Sequence, residues 1–378
     1  VKKLAGEAIA AILRRPDPDR PDLYVCEEQI MNWLFFVPLA IAATTIPTFA
    51  TNGRGEAAEP RSARAKPIQP AAPAQTNRQP APLAAEAPKA RVAPEAEKPA
   101  DTAVEFLRLS RDSKNRPLSL DTAIVRYRET AQAAARAGRN KPLEVDLVGA
   151  VHLGGRAYYD ALDRRFKDYD AVLYELVAPE NARVPKPGHK ASGAIGSAQQ
   201  GLTKLLGLEF QLEQIDYTAK NFVHADLSPE EFDAAMAKRG ESWWTMFTKL
   251  MREAMARAER GKAGPGNDLD LGDLFGLLFG SDREVRLRRI MAEQFTDMDM
   301  LTAAFGGEEG SSLITDRNAA ALDVLTKQIA RGRKKIAIFY GAAHMDDFDS
   351  RLQKEFELQP RETIWLEAWD LRGNADRN

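Results

Sequence analysis

The chain has 378 residues, enough for one large domain or two ordinary ones. Its 55 acidic and 53 basic residues nearly cancel, which argues against a dedicated nucleic-acid binder, whose affinity comes mainly from clustered positive charge. A single cysteine, Cys26, excludes an intrachain disulfide and a Cys-rich zinc site, and with only four histidines (His152, His189, His224 and His344) the position of each carries information.

Three zones follow one another. Residues 1–50 end in an apolar run, Trp33 to Ala50, close to the ~20 residues that cross a bilayer. It closes on Thr48-Phe49-Ala50, a small-residue cleavage pattern, so it reads as a signal peptide or membrane anchor, with Met31 as the natural start. Residues 51–103 are rich in Ala, Pro, Glu, Lys and Arg and lack any aromatic residue. Such a stretch cannot bury enough apolar surface to offset its ordering entropy, and it is expected to be a disordered linker. An apolar segment followed by a linker suits a domain held off a membrane, on the extracytoplasmic side, periplasmic or secreted.

Residues 104–378 form the folded part. Strands are expected at Val104–Leu109, Thr122–Arg128, Leu143–Val148, Ala171–Val177, Lys335–Tyr340 and Thr363–Trp369. The apolar face of Tyr159, Leu162 and Phe166 predicts a helix over Arg156–Phe166, and further helices are expected at Ser311–Arg331 and about Phe348–Phe356. Strand, helix and strand over 143–177 predict a βαβ unit with a parallel pair. The middle, 180–310, reads as a mostly helical insertion. Its parts are a helix opened by Ser228-Pro229-Glu230-Glu231, two more over Glu241–Glu259 and Asp282–Phe305, and a Gly- and Asp-rich loop between those two. The expected fold is α/β (α+β): a central mixed sheet with flanking helices.

Two hydrophobic strands each run into Gly, two small residues and His: Gly149-Ala150-Val151-His152 and Gly341-Ala342-Ala343-His344. Ligands of open α/β sheets gather at the carboxyl ends of strands, where glycine lets the backbone approach closely. His152 and His344 are therefore expected on one rim, and neutral imidazole is the commonest side-chain metal ligand. Glu175 lies in an apolar run, where a carboxylate is costly unless paired or bound to a cation. It reads as a third ligand or a base, or alternatively as half of a structural ion pair. Asn318 falls in the middle of the apolar face of its helix, and Arg317 borders that face. They are placed to orient Glu175 or hold a substrate carbonyl or carboxylate, or else to pack as a polar pair. His224 and Asp226, two apart in a strand-like run, share a face and can serve the same metal or a second one; alternatively Asp226 merely precedes the next helix. His189 sits in a Pro/Gly-rich loop and is expected to be exposed. HExxH, GxSxG and P-loop motifs are absent, which does not exclude hydrolysis by a metal-activated water.

LVGAVHLGGRAYYDALDRRFKDYDAVLYELV and TDRNAAALDVLTKQIARGRKKIAIFYGAAHMDDFDSRL resemble the opening and closing blocks of the TraB/GumN/PrgY family, to which the Tiki proteins are related. The resemblance implies a metal-dependent peptidase acting outside the cytoplasm. His152, His344 and Glu175 would be its metal and catalytic residues, Arg317 and Asn318 its polar helix pair, and Mn, Co or Zn its divalent cation. It also leaves open a non-catalytic module that sequesters a peptide or small ligand, as PrgY-like members do, or an ion- or haem-handling protein of the ChaN kind. Leu176-Val177-Ala178-Pro179 depart from the acidic and arginine residues usual after the glutamate, which bears on substrate choice.

Overall fold

The structure is a computed structural model that describes residues 104–179, 187–188, 193–242, 245, 282–296 and 310–373. The apolar run 33–50, the linker 51–103, His189, the loop 261–273 and most of the expected helix 241–259 lie outside the described residues. Among the described residues, no helix is long and apolar enough to cross a membrane.

In chain order the elements are β1 (Leu107–Arg111), β2 (Pro117–Glu129), α1 (Ala131–Arg136), β3 (Glu144–Ala150), β4 (Leu153–Gly154), α2 (Arg156–Phe166) and β5 (Ala171–Tyr174). The middle supplies α3 (Gly193–Leu206), β6 (Glu209–Phe210), α4 (Gln211–Gln214), β7 (Phe222–His224), α5 (Pro229–Arg239) and α6 (Arg283–Phe295). A π-helical turn (Ser312–Asp316) leads into α7 (Arg317–Ala330), followed by β8 (Lys335–Gly341), a 3-10 turn (Ala342–His344), α8 (Met345–Glu355) and β9 (Leu358–Asp370).

Among the described residues, seven strands form one mixed sheet in the order β1-β2-β3-β8-β5-β7, with β9 also paired to β2. The strands β3, β8, β5 and β7 run parallel to one another, whereas β2 runs antiparallel to β1, β3 and β9. The expected α/β sheet with flanking helices is thus present, with two differences of detail. β3 and β5 are parallel but do not pair with each other, because β8 lies between them and bonds to both. The described part of the middle segment is mostly helical, as expected, and also adds β7 to the central sheet and pairs β6 with β4.

Strand periodicity assigns the core to two faces. Val148, Val172 and Phe339 point to one side, where α2 contributes Tyr159, Leu162 and Phe166. Val145, Leu147, Leu173, Ile336 and Ile338 point to the other, against Leu322 and Leu325 of α7 and Phe348 and Leu352 of α8. Both faces of β3, β5 and β8 are covered, which is why these strands are nearly continuous apolar runs. Asp146 interrupts one run, fully buried, and is compensated by Arg126 and by the Tyr169 hydroxyl, which donates to it at 2.6 Å. This cluster lies below the level of the two GxxH turns, toward the start of β3.

Candidate metal centre

The parallel strands β3, β8 and β5 are neighbours, so the residues just past their carboxyl ends meet. His152 follows β3, Glu175 follows β5, and His344 closes the 3-10 turn after β8. The turn bearing His152 is held from three sides. Its carbonyl accepts from the Gln211 amide at 2.9 Å, the Trp369 indole donates to the Leu153 carbonyl at 2.6 Å, and β4 pairs with β6.

Gly341 shows how closely the three side chains converge. A Cβ added there would stand 3.4 Å from Glu175 Oε2, 3.6 Å from His152 Nε2 and 3.9 Å from His344 Cδ2. Its φ of −55° is open to any residue, and a Cβ would make ordinary van der Waals contacts there, filling the space the three side chains face. Its own amide donates to Glu175 Oε2 at 2.7 Å. Gly149 was expected to serve in the same way and does not. A Cβ there would press on the Ala123 carbonyl at 3.3 Å and the Met345 side chain at 3.6 Å, so this glycine lets β3 pack closely against its surroundings.

Glu175 and Arg317 are both buried, with Arg317 Nη2 at 2.9 Å from Glu175 Oε1. The guanidinium also grips both oxygens of the fully buried Asp226. Burial would raise the Glu175 carboxyl, but Arg317, followed by His344 and His152, outweighs it and holds the carboxyl well below the usual range. Burial likewise lowers the His152 imidazole, against the pull of Glu175, so the ring is kept neutral and able to bind a cation. Two carboxylates share one guanidinium here, leaving a single negative charge uncompensated in a dry place.

Asn318 determines how His344 is presented. Its amide nitrogen donates to the His344 carbonyl at 3.0 Å and to Asp347 Oδ2 at 2.8 Å. Its oxygen must then face His344 Nδ1, 2.6 Å away, and accept the proton carried there. A neutral ring with its proton on Nδ1 has a lone pair on Nε2, and Nε2 stands 3.4 Å from Glu175 Oε1. A lone pair beside a carboxylate oxygen is unfavourable without a positive charge nearby; Arg317, 2.9 Å from the same oxygen, supplies one, and a metal cation between the two would supply another. Two donors about 2.1 Å from a tetrahedral ion stand about 3.4 Å apart, so the spacing suits an ion.

Other expected ligands are committed elsewhere. His224 bonds through Nε2 to the Leu176 carbonyl at 2.6 Å, and Asp226 accepts from the Leu176 amide at 2.9 Å as well as from Arg317. Together they clamp the chain just past Glu175 and anchor the guanidinium, which makes them positioning groups in this arrangement and not ligands. As the side chains stand, no three His, Cys, Asp or Glu side chains among the described residues close around a point as a ligand cage. The physical reason is that Glu175 is turned to Arg317 on one oxygen and to the Gly341 amide on the other. The donor chemistry fits a divalent cation nonetheless: two imidazoles, one carboxylate, an excess negative charge and the space at Gly341. Asp347 is a part of the site that sequence reading did not single out; its signal was the position three residues past His344, one helical turn on.

The fold and the site together define an α/β protein with a His, His, Glu and Arg cluster, buried except for the partly exposed His152, at the carboxyl ends of parallel strands. Compared with protein-family models, with curated proteins and with solved structures, the chain has no significant match.

Proposed function

We propose that this chain is a metal-dependent hydrolase of the TraB/GumN/Tiki kind, most plainly a peptidase, acting outside the cytoplasm. The observation that carries the proposal is the pairing of His344 Nε2 with Glu175 Oε1 at 3.4 Å, with His152 Nε2 facing the same space. Held by His152, His344 and Glu175, a divalent cation (Mn, Co or Zn) would supply Lewis acidity toward a carbonyl and make water at the site more acidic. The chain's own groups do the rest. Arg317 and the Gly341 amide keep Glu175 ionised and fixed in direction, which suits it to hold a cation and makes it a weak base. Asn318 keeps the His344 lone pair aimed at that place. The neutral charge balance supports a peptide or small-molecule substrate in preference to nucleic acid. The apolar run at residues 33–50 supports export or attachment to a membrane.

The test is cleavage of a casein-derived peptide mixture by the purified full chain, read by mass spectrometry with each of the three ions and with a chelator. New peptide ends are expected in the presence of at least one ion, lost on chelation and in Glu175→Gln. Cleavage that survives chelation, or none with any ion, would overturn the proposal. In the second case, peptide affinity unaffected by chelation would favour a sequestering module, and copurified haem an ion- or haem-handling protein.

A further inference from the structure

Asp347 lies in the first turn of α8 and forms no hydrogen bond or ion pair with Glu175 or His152; it accepts from the Asn318 amide. We propose that Asp347 is a positioning residue which, through Asn318, fixes the proton of His344 on Nδ1. The consequence for metal affinity rests on His344 being a ligand, as proposed above; the effect on the proton does not.

Two forces compete for that proton. Glu175 Oε1, 3.4 Å from Nε2, draws it toward Nε2, and a ring protonated there has no lone pair facing the site. Asn318 Oδ1, 2.6 Å from Nδ1, draws it the other way, but only while the amide presents its oxygen. An amide turned over would place its NH2 against Nδ1 and its oxygen against two acceptors. Those acceptors are the His344 carbonyl at 3.0 Å and Asp347 Oδ2 at 2.8 Å. The carboxylate bond is charge-assisted and the stronger of the two. The His344 carbonyl belongs to the residue being positioned, so Asp347 is the acceptor that ties the amide to an independent element. The order Asp347, Asn318, His344 thus corresponds to the outer hydrogen-bonded groups that orient metal-binding histidines elsewhere.

The experiment uses the full chain labelled with 15N-histidine, held free of metal at about pH 9, where an ordinary imidazole is neutral. The His344 signals are assigned by their loss in His344→Gln. The wild type is expected to show the Nδ1–H form. Asp347→Leu removes the acceptor and should shift the ring toward Nε2–H. Asp347→Asn keeps an acceptor oxygen and should restore the wild-type pattern. Asp346→Leu, also in the first turn of α8 but without a bond to Asn318, controls for effects on the helix start. Zn2+ affinity, measured by competition with a chelating dye, should fall about 10- to 100-fold in Asp347→Leu alone. An unchanged tautomer in a folded Asp347→Leu would overturn the proposal, as would the same shift in Asp346→Leu. If the wild type binds no ion while the tautomer shifts as stated, the metal reading fails and the role of Asp347 stands.

Discussion

Gly341 and Glu175 were both legible in the sequence, but for different physical reasons. Glu175 was conspicuous because a carboxylate in an apolar run must find a partner. Gly341 was expected to let the backbone approach a ligand closely; its φ is ordinary, and a Cβ there would enter the space that Glu175, His152 and His344 face. Gly341→Ala is therefore predicted to leave the fold intact and to weaken binding of Zn2+ about tenfold, since the methyl would take up room within 3.4 Å of Glu175 Oε2 and 3.6 Å of His152 Nε2. Calorimetric titration together with a thermal melt tests this; unchanged affinity, or a variant that fails to fold, would contradict it. His224 and Asp226 mark where residue-level reading stopped. Their spacing placed them on one face, but spacing does not say whether a face meets a cation, a carbonyl or a guanidinium. The structure gives His224 the Leu176 carbonyl and Asp226 the Arg317 side chain. Asp347 escaped notice because a charged residue near a helix start is ordinarily explained by the helix dipole alone.

Elements were read well where local chemistry decides them. Helix α2 occupies the expected residues, and α5 begins at the expected cap: the Ser228 hydroxyl accepts from the Glu231 amide, and the Glu231 carboxylate accepts from the Ser228 amide at 2.8 Å. Ser228→Ala is predicted to cost about 1 kcal/mol of stability. Urea unfolding should show a lower midpoint with an unchanged slope, and an unchanged midpoint would mean that the cap contributes nothing to the cooperative unit. Elements were read less well where distant contacts decide. The helix expected over Ser311–Arg331 opens as a π-helical turn, with the Asp316 amide reaching back to the Ser311 carbonyl at 3.4 Å, before α7 begins at Arg317. The wider turn lies directly before the residue that must enter the site, and apolar periodicity does not register one extra residue per turn. The strand pairing was missed for a similar reason. Sequence order suggested that β3 and β5 are partners, but any parallel strand buried on both faces can occupy the place between them, and β8 does.

At the scale of the molecule, the mixed sheet and its flanking helices followed from the alternation of apolar runs and helical faces. The order of strands did not, and the order builds the site: with β8 central, the turns after β3 and β8 and the residue after β5 stand side by side. Two GxxH turns 192 residues apart thereby face one space. The most direct test of that convergence is metal stoichiometry. The full chain, equilibrated with Zn2+, Mn2+ or Co2+ and dialysed, is analysed for bound metal beside His152→Ala, His344→Ala and Glu175→Gln. One equivalent of one ion in the wild type, and loss of it in all three folded variants, is the predicted result. No bound ion in the wild type, or full occupancy in any of the three, would contradict it.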